Sequence, residues 1–256
     1  MLKKLLLSLA ALLILNGCTA NNTNTIKTLE DKVLTIGLDD TFAPMGFIDD
    51  NGDLVGFDID LAKETAKILN VDVEFIGIDW SMKETELETG NIDCIWNGFS
   101  ISEERKRQIL FSDPYLENRQ IIITLADSSI KSKNDLQGKV VSVQKESSAL
   151  QAVSSEENIL SSLKQLVEFD TNIDCFIDLE AERSDAIVVD EVLARYVMKQ
   201  RGEERYKVLD DNFGTEDYAI GFRLNDDETV NKVNDALKQM IDDGTYDSIY
   251  KKWFAQ

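Results

Sequence analysis

Trp96-Asn97-Gly98-Phe99-Ser100-Ile101-Ser102-Glu103-Glu104-Arg105 is the stretch that decides the fold. The apolar run Ile92 to Trp96, broken by Asp93 and Cys94, predicts a short covered strand. Gly98 then allows a positive φ or a close approach of the backbone to another group. Ser102 is a good N-cap and Glu103 and Glu104 suit a first turn, so a helix is predicted from Ser102 into Arg107. Amide groups at a helix start attract anions, and Arg105 adds a planar fork of permanent positive charge. Two readings follow: a receptor for a small carboxylate, or a capped helix whose Arg105 pairs with a surface glutamate.

Outward from this stretch, strands and helices alternate. Strands are predicted at Val33 to Gly37, Val71 to Ile78, Gln120 to Thr124, Val140 to Val143, Val167 to Phe169, Ala186 to Val189 and Tyr218 to Phe222. Helices are predicted from a cap at Asp58 to Leu69, from Met82 to Thr89, from Ala149, from Asn172 to Arg183, from Glu191 to Gln200, from Asp227 to Ile241 and from Thr245 to Phe254. Phe47-Ile48 and Leu54-Val55 flank an Asn-Gly turn and predict a hairpin. Its acidic residues do not follow a calcium-loop pattern, because the glycine is misplaced. The alternation predicts an α/β fold with mostly parallel sheets. Ile92-Asp93-Cys94-Ile95-Trp96 is echoed by Ser184-Asp185-Ala186-Ile187-Val188, which hints at two similar halves.

The chain has 256 residues, room for one large domain or two small ones. With 48 acidic against 27 basic residues, it is a poor match for nucleic acid, which needs a basic surface. There is no histidine, which removes the commonest general base and metal ligand. No cofactor or metal site is predicted. Cys94 and Cys175 lie in separate apolar segments and are expected to stay free thiols.

Lys3 and Lys4 followed by the apolar run Leu5 to Leu15 predict a secretory signal over residues 1–17. Leu15-Asn16-Gly17-Cys18 resembles the bacterial lipoprotein cleavage box, in which the cysteine, here Cys18, becomes the lipidated first residue. Residues 18–31, rich in Asn and Thr, predict a flexible tether. The expected location is the outer face of the cell membrane, on a lipid anchor.

The distinctive polar and aromatic residues share one position. Asp39 and Phe42, Trp80, Asn97 to Arg105, Gln144 to Ser148 and Asp190 all follow predicted strands, where open α/β sheets bind ligands. Arg105 with the amide of Ser100 would grip a carboxylate. Asp190 would meet an ammonium group, or simply cap the helix that follows it. Phe42 and Trp80 would form apolar walls, or ordinary core. A carboxylate grip and an ammonium grip in one cleft describe an α-amino acid.

Several longer segments carry a resemblance. They are Gly37-Leu38-Asp39-Asp40-Thr41-Phe42-Ala43-Pro44, Val55-Gly56-Phe57-Asp58-Ile59-Asp60-Leu61, the Asn97 to Arg105 stretch, Phe111-Ser112-Asp113-Pro114-Tyr115, and Asp243-Gly244-Thr245-Tyr246 through Ile249-Tyr250-Lys251-Lys252-Trp253-Phe254. Together they resemble the amino-acid-binding proteins of bacterial ABC importers, solute-binding protein family 3. The resemblance implies a two-lobed periplasmic-binding-protein (Venus-flytrap) fold of type II, with two hinge strands near Gln120 to Thr124 and Tyr218 to Phe222. Lobe 1 would comprise 32–120 and 219–256, and lobe 2 would comprise 121–218. Arg105 and Ser100 would hold the α-carboxylate and Asp190 the α-ammonium. Phe42 and Trp80 would sandwich the side chain, and Asn97 and Gly98 would offer backbone groups. Asp39, Gln144, Ser147 and Ser148 would line the part that reads the side chain, with a polar or cationic one favoured.

Family members often carry glycine where this chain has Glu146, and its carboxylate is expected to face water. The implied partners are an amino acid, a membrane permease and, through the lipid, the membrane itself, with the protein a monomer. A cleft enzyme of the same fold, a prephenate-type dehydratase, is the alternative. A sensory domain is a weaker one, since no output domain follows.

Overall fold

The computed structural model describes residues 28–255. The predicted signal, Cys18 and the tether up to residue 27 lie outside the described residues. Residues 28–31, read above as the end of the tether, form a turn in which Leu29 packs on the core and Thr28 Oγ1 accepts a hydrogen bond from Arg223 at 2.7 Å.

In chain order the elements are β1 (Val33–Leu38), β2 (Thr41–Phe42), β3 (Gly46–Ile48), β4 (Leu54–Val55), α1 (Phe57–Leu69), β5 (Asp72–Gly77), α2 (Lys83–Thr89), β6 (Cys94–Ile95), β7 (Ile109–Phe111) and β8 (Leu116–Leu125). There follow β9 (Val140–Gln144), α3 (Ser148–Ser155), α4 (Glu157–Leu160), β10 (Gln165–Phe169), α5 (Asn172–Glu180), β11 (Ala186–Asp190) and α6 (Glu191–Arg201). The chain closes with β12 (Tyr206–Tyr218), β13 (Gly221–Arg223), α7 (Asp227–Asp243) and α8 (Thr245–Phe254).

Two five-stranded sheets carry the molecule, in the orders β5-β1-β6-β13-β7 and β10-β9-β11-β8-β12. A small sheet β2-β3-β4 contains the predicted hairpin. In each large sheet the strands that lead into the cleft are parallel, β1 with β5 and β6, and β9 with β10 and β11. Helices cover the central strands, which bury both faces: every residue of β11 is buried. The chain passes between the sheets twice, at 112–115 and at 219–220. The passages hold each other through Ser112 N–H to the Ile220 carbonyl, Ile220 N–H to Ser112 Oγ and Tyr115 N–H to the Tyr218 carbonyl, each at 2.9 Å. This is a two-lobed type II fold.

Helix ends follow their local chemistry. Asn70, Gly90 and Gly244 take left-handed C-caps after α1, α2 and α7. The buried face of α7 carries Val230, Val233, Leu237 and Met240 at helical spacing. Cys94 and Cys175 are buried free thiols, as expected. Trp96 is buried in the core and not directed to the cleft.

Four expectations are corrected. Asp58 does not cap α1; Gly56 holds that position, and Asp58 is buried in the first turn. The helix predicted from Ser102 is a single 3-10 turn, Arg105–Arg107. Ser102 Oγ accepts the Arg105 N–H at 3.2 Å, so the cap exists, but the chain leaves at once for β7. The strand predicted at Tyr218 to Phe222 is interrupted at 219–220, where the chain changes sheets. Most of β12 was missed, because Asp210-Asp211-Asn212 and Gly214 look like loop residues. They are tolerated because β12 is an edge strand, and its register against β8 slips between Val208 and Asn212 and again before Thr215.

Candidate ligand-binding cleft

The turn after β6 is built by one glycine. Gly98 has φ +56°, and a Cβ there would lie 2.9 Å from both the Phe42 and the Tyr218 rings. Only glycine meets both constraints. Its N–H donates to Asp58 Oδ2 at 2.7 Å, and the Tyr115 hydroxyl donates to the same oxygen at 3.0 Å. The Gly98 amide is therefore already engaged within the protein. Burial pushes the Asp58 carboxyl up to about 7. Asn97 is buried and structural: its Oδ1 accepts the Asp39 N–H at 3.1 Å.

Ser100 follows in an antiparallel bridge to Tyr218. The flanking bonds run from Ala219 N–H to the Phe99 carbonyl and from Ile101 N–H to the Asp217 carbonyl. Ser100 is thus in a non-hydrogen-bonded pair, so its own N–H and C=O point away from β12. The carbonyl accepts from Arg105 Nη1 at 2.8 Å, and the Ser100 amide is aimed to the same side. Arg105 lies over the Phe99 ring, 4.3 Å from its centroid, with only 10% of its side chain exposed. Burial pulls its guanidinium below the usual arginine range, opposed by Glu84, Glu216 and Asp190.

The other lobe supplies the facing wall. Ser148 opens α3, and its hydroxyl lies 3.0 Å from that of Ser100. Ser147 caps α3, its Oγ accepting from Leu150 N–H at 3.1 Å and donating to the Gln144 carbonyl at 2.7 Å. The anion-attracting helix start expected at Ser102 is therefore found at α3, across from Arg105. Glu146 is exposed, as expected, and takes φ 49°. Its carbonyl accepts from Lys83 Nζ at 2.9 Å and from Arg105 Nη2 at 3.4 Å, both from the first lobe. Lys83 is almost fully buried and ion-paired with Glu84 at 3.1 Å. Burial first, and then Arg105, pull its ammonium down to about 8.

Asp39 and Gln144 meet across the cleft, Gln144 Nε2 donating to Asp39 Oδ2 at 2.8 Å. Thr41 donates its N–H and hydroxyl to Asp39 Oδ1 at 2.9 and 2.6 Å. Burial raises the Asp39 carboxyl above the usual range despite these donors. Phe42 and Trp80 are both buried but join different apolar clusters. Trp80 meets Phe99 edge-on at 5.8 Å, and the Lys83 ammonium lies 5.1 Å from its ring centroid.

Asp190 ends β11 as predicted. It occupies the N-cap position of α6 with no side-chain cap bond, so the capping alternative falls away. Its Oδ1 accepts from Tyr218 OH at 2.6 Å and from Asn118 Nδ2 and Gln120 Nε2, each at 2.8 Å. Burial, and then Glu216, push its carboxyl well up. Tyr218, Asn118, Gln120, Glu216, Lys83 and Asp58 were not predicted at the site. One signal was available: Asn118 and Gln120 alternate at the mouth of the apolar run Ile121 to Ile123, so two polar side chains enter a buried strand on one face.

The cleft is therefore dipolar: Arg105 and Lys83 stand together, Asp190 and Glu216 act on Arg105 from β11 and β12, and Asp39 lies against Gln144. Such a two-lobed cleft at the carboxyl ends of facing parallel strands defines a ligand-binding protein of the periplasmic type. The bacterial extracellular solute-binding proteins, family 3, match residues 34–256, and the chain belongs to that family. A probable histidine-binding protein of Neisseria gonorrhoeae is 32% identical over 227 residues, covering 88% of this chain and 84% of that one. The substrate-binding protein of an ABC uptake transporter from Streptococcus pneumoniae, solved with bound histidine, is 36% identical with TM-score 0.85, covering 88% of this chain and 94% of that one. An ancestral arginine-binding protein bound to glutamine is 42% identical with TM-score 0.82, covering 88% and 99%. Among the described residues no helix is long and apolar enough to cross a membrane.

Proposed function

We propose that this chain is the extracytoplasmic substrate-binding lipoprotein of an ABC importer, anchored through Cys18 and working as a monomer. It captures an L-amino acid with a polar or cationic side chain and delivers it to the permease. The observation that carries this reading is the dipolar cleft. Arg105 and Asp190 are both desolvated and each within electrostatic reach of the other, yet no hydrogen bond joins them. A zwitterion completes both pairs at once. Its α-carboxylate would take the Arg105 fork and the amide and hydroxyl of Ser100, with Ser148 closing from the other lobe. Its α-ammonium would take Asp190 and the Gly98 carbonyl. Phe42 and Trp80 would flank the side chain, and Asp39, Gln144 and Ser147 would read its end. Relatives named for histidine, arginine and glutamine support this ligand class.

Capture proceeds by closure of lobe 2 (121–218) on lobe 1 (32–120 and 219–256), with β8 and β12 as the hinge. Closure creates differential contacts, which is what allows a ligand to shift the equilibrium. Micromolar binding needs about 8 kcal/mol, within reach of two charge-assisted clamps and aromatic packing after ordering costs.

The test is calorimetry with L-arginine, L-histidine and L-glutamine on wild type, Arg105→Ala and Asp190→Ala. Micromolar binding in the wild type and its loss in both variants is expected; undiminished binding in both sinks the site. The dehydratase alternative predicts aromatic product from prephenate, and none is expected. For the anchor, Cys18→Ala should move the protein from the detergent phase to the aqueous phase on partitioning.

A further inference from the structure

Asp190 does not stand alone. Asp190 on β11 pairs in register with Gln120 on β8, and Glu216 on β12 pairs with Asn118 on β8. Residues two apart on a strand share a face, so Asn118 and Gln120 both point to the side occupied by the two acids. The bonding is reciprocal. Asn118 Nδ2 donates to Asp190 Oδ1 at 2.8 Å and to Glu216 Oε1 at 2.7 Å. Gln120 Nε2 donates to the same two oxygens, each at 2.8 Å. Two amides thus bridge two carboxylates, each amide donating to one oxygen of both acids.

Asp190 is buried and Glu216 half-buried, and a like charge on the same donors makes it costly for the buried Asp190 to ionise unless a cation lies between them. The cations packed around the pair do not fill that place. Arg119, on β8, and Arg195, on α6, are both turned onto Glu191, with Arg119 Nη2 at 2.9 Å and Arg195 Nη2 at 2.9 Å. Arg105 faces the pair across the cleft but bonds the Ser100 carbonyl. Tyr218 and Tyr115 are buried neutral phenols. The amides and the Tyr218 hydroxyl supply partial charge only, and all three land on Oδ1. Oδ2 of Asp190 takes none of them.

The geometry points to Glu216 as a second carboxylate of the ammonium subsite, crowding Asp190 so that Asp190 holds a proton that the ligand's ammonium displaces. In the empty cleft Asp190 is protonated and its proton is shared with Glu216 in a hydrogen bond. On binding, the –NH3⁺ group donates to Asp190 Oδ2, the shared proton passes to solvent, and the pair is left doubly ionised against the new positive charge. Glu216 then selects for ligands whose amine is protonated, without touching them. This inference rests on the amino-acid reading of the cleft, but its first test does not.

That first test uses the ligand-free protein. Because the folded pair keeps a proton that the unfolded chain has lost, wild-type stability falls as pH rises above the ordinary aspartate range and through the titration of the pair. Thermal melting from pH 5 to 9 should therefore slope downward in the wild type and be flatter in Glu216→Gln, which keeps an oxygen for both amides and offers Asp190 an amide donor. Glu216→Asp should restore the slope. Identical slopes in wild type and Glu216→Gln overturn the shared proton. The second test is calorimetry with L-arginine, L-histidine and L-glutamine at pH 6 to 8, in buffers of different ionisation enthalpy. Wild type should release close to one proton per ligand, with affinity rising toward about tenfold per pH unit; Glu216→Gln should release almost none and show little pH dependence. A uniform loss of affinity at every pH would mark Glu216 as merely structural. If none of these amino acids binds while the ligand-free slopes differ as stated, the ligand reading fails and the shared proton stands.

Discussion

Two turns face each other across the cleft, and each needs a left-handed residue: Gly98 in the first lobe and Glu146 in the second. At Gly98 the conformation and the space agree, because a Cβ would strike Phe42 and Tyr218. At Glu146 only the backbone is unusual, since the side chain runs into water. One turn is therefore fixed by packing, and the other merely tolerates a strained residue. What the second turn contributes to the contact across the cleft is a carbonyl, gripped by Lys83 and Arg105.

The strongest way to break this contrast is Gly98→Ala. We expect a loss of about 2–4 kcal/mol in stability from overpacking and left-handed strain together, with ligand binding abolished; urea denaturation and calorimetry measure both. Asp58→Asn probes the same turn more gently, with a loss of about 1–3 kcal/mol at pH 5 for a perturbed buried bond. Since burial holds the Asp58 carboxyl near 7, the wild-type native state binds more protons than the unfolded chain, so wild-type stability falls as pH rises from the ordinary aspartate range through about 7. The variant lacks that slope, so the gap should narrow from pH 5 to pH 8; a constant gap overturns the assignment.

On the other side of the comparison, Lys83→Met removes the grip on the Glu146 carbonyl. A charged hydrogen bond contributes about 1.5–3 kcal/mol, so ligand affinity should fall roughly ten- to a hundredfold, with the change in the dissociation rate measured by stopped flow. An unchanged dissociation rate would show that this contact does not hold the closed state. The smallest effect is expected from Glu146→Gly, which relieves the left-handed strain at some entropic cost and should shift stability by less than about 1 kcal/mol, towards stabilisation. A large destabilisation there would erase the difference between the two turns.

The sequence carried the parts of this picture that rest on local chemistry. Gly98, the end of β11 at Asp190 and the helix stops at Asn70, Gly90 and Gly244 were legible, because conformation and residue type coincide at each. The stretch from Trp96 to Arg105 was wrongly shaped at its end: Ser102 has a cap's chemistry, yet no helix follows it, since the chain must reach β7 within a few residues. Asp58 looked like a cap for the same reason. Asp190 was legible by itself and Asn118 and Gln120 left a faint trace, but the row they form with Glu216 and Tyr218 was not, because it exists only through the registers of three strands far apart in the chain. Most of β12 was hidden because an edge strand with bulges has no clean alternation.

The carbonyl at residue 146 has one more consequence. Lys83 and Arg105 hold backbone there, so this contact does not depend on which side chain residue 146 bears. That side chain sits with Glu84 and Glu104 around the same rim, where Arg105 is also found. Mutation is thus free to recolour the mouth of the cleft, acidic, neutral or basic, and to retune long-range attraction of charged solutes. The speed of encounter can drift through evolution while the machinery that retains the cargo stays intact.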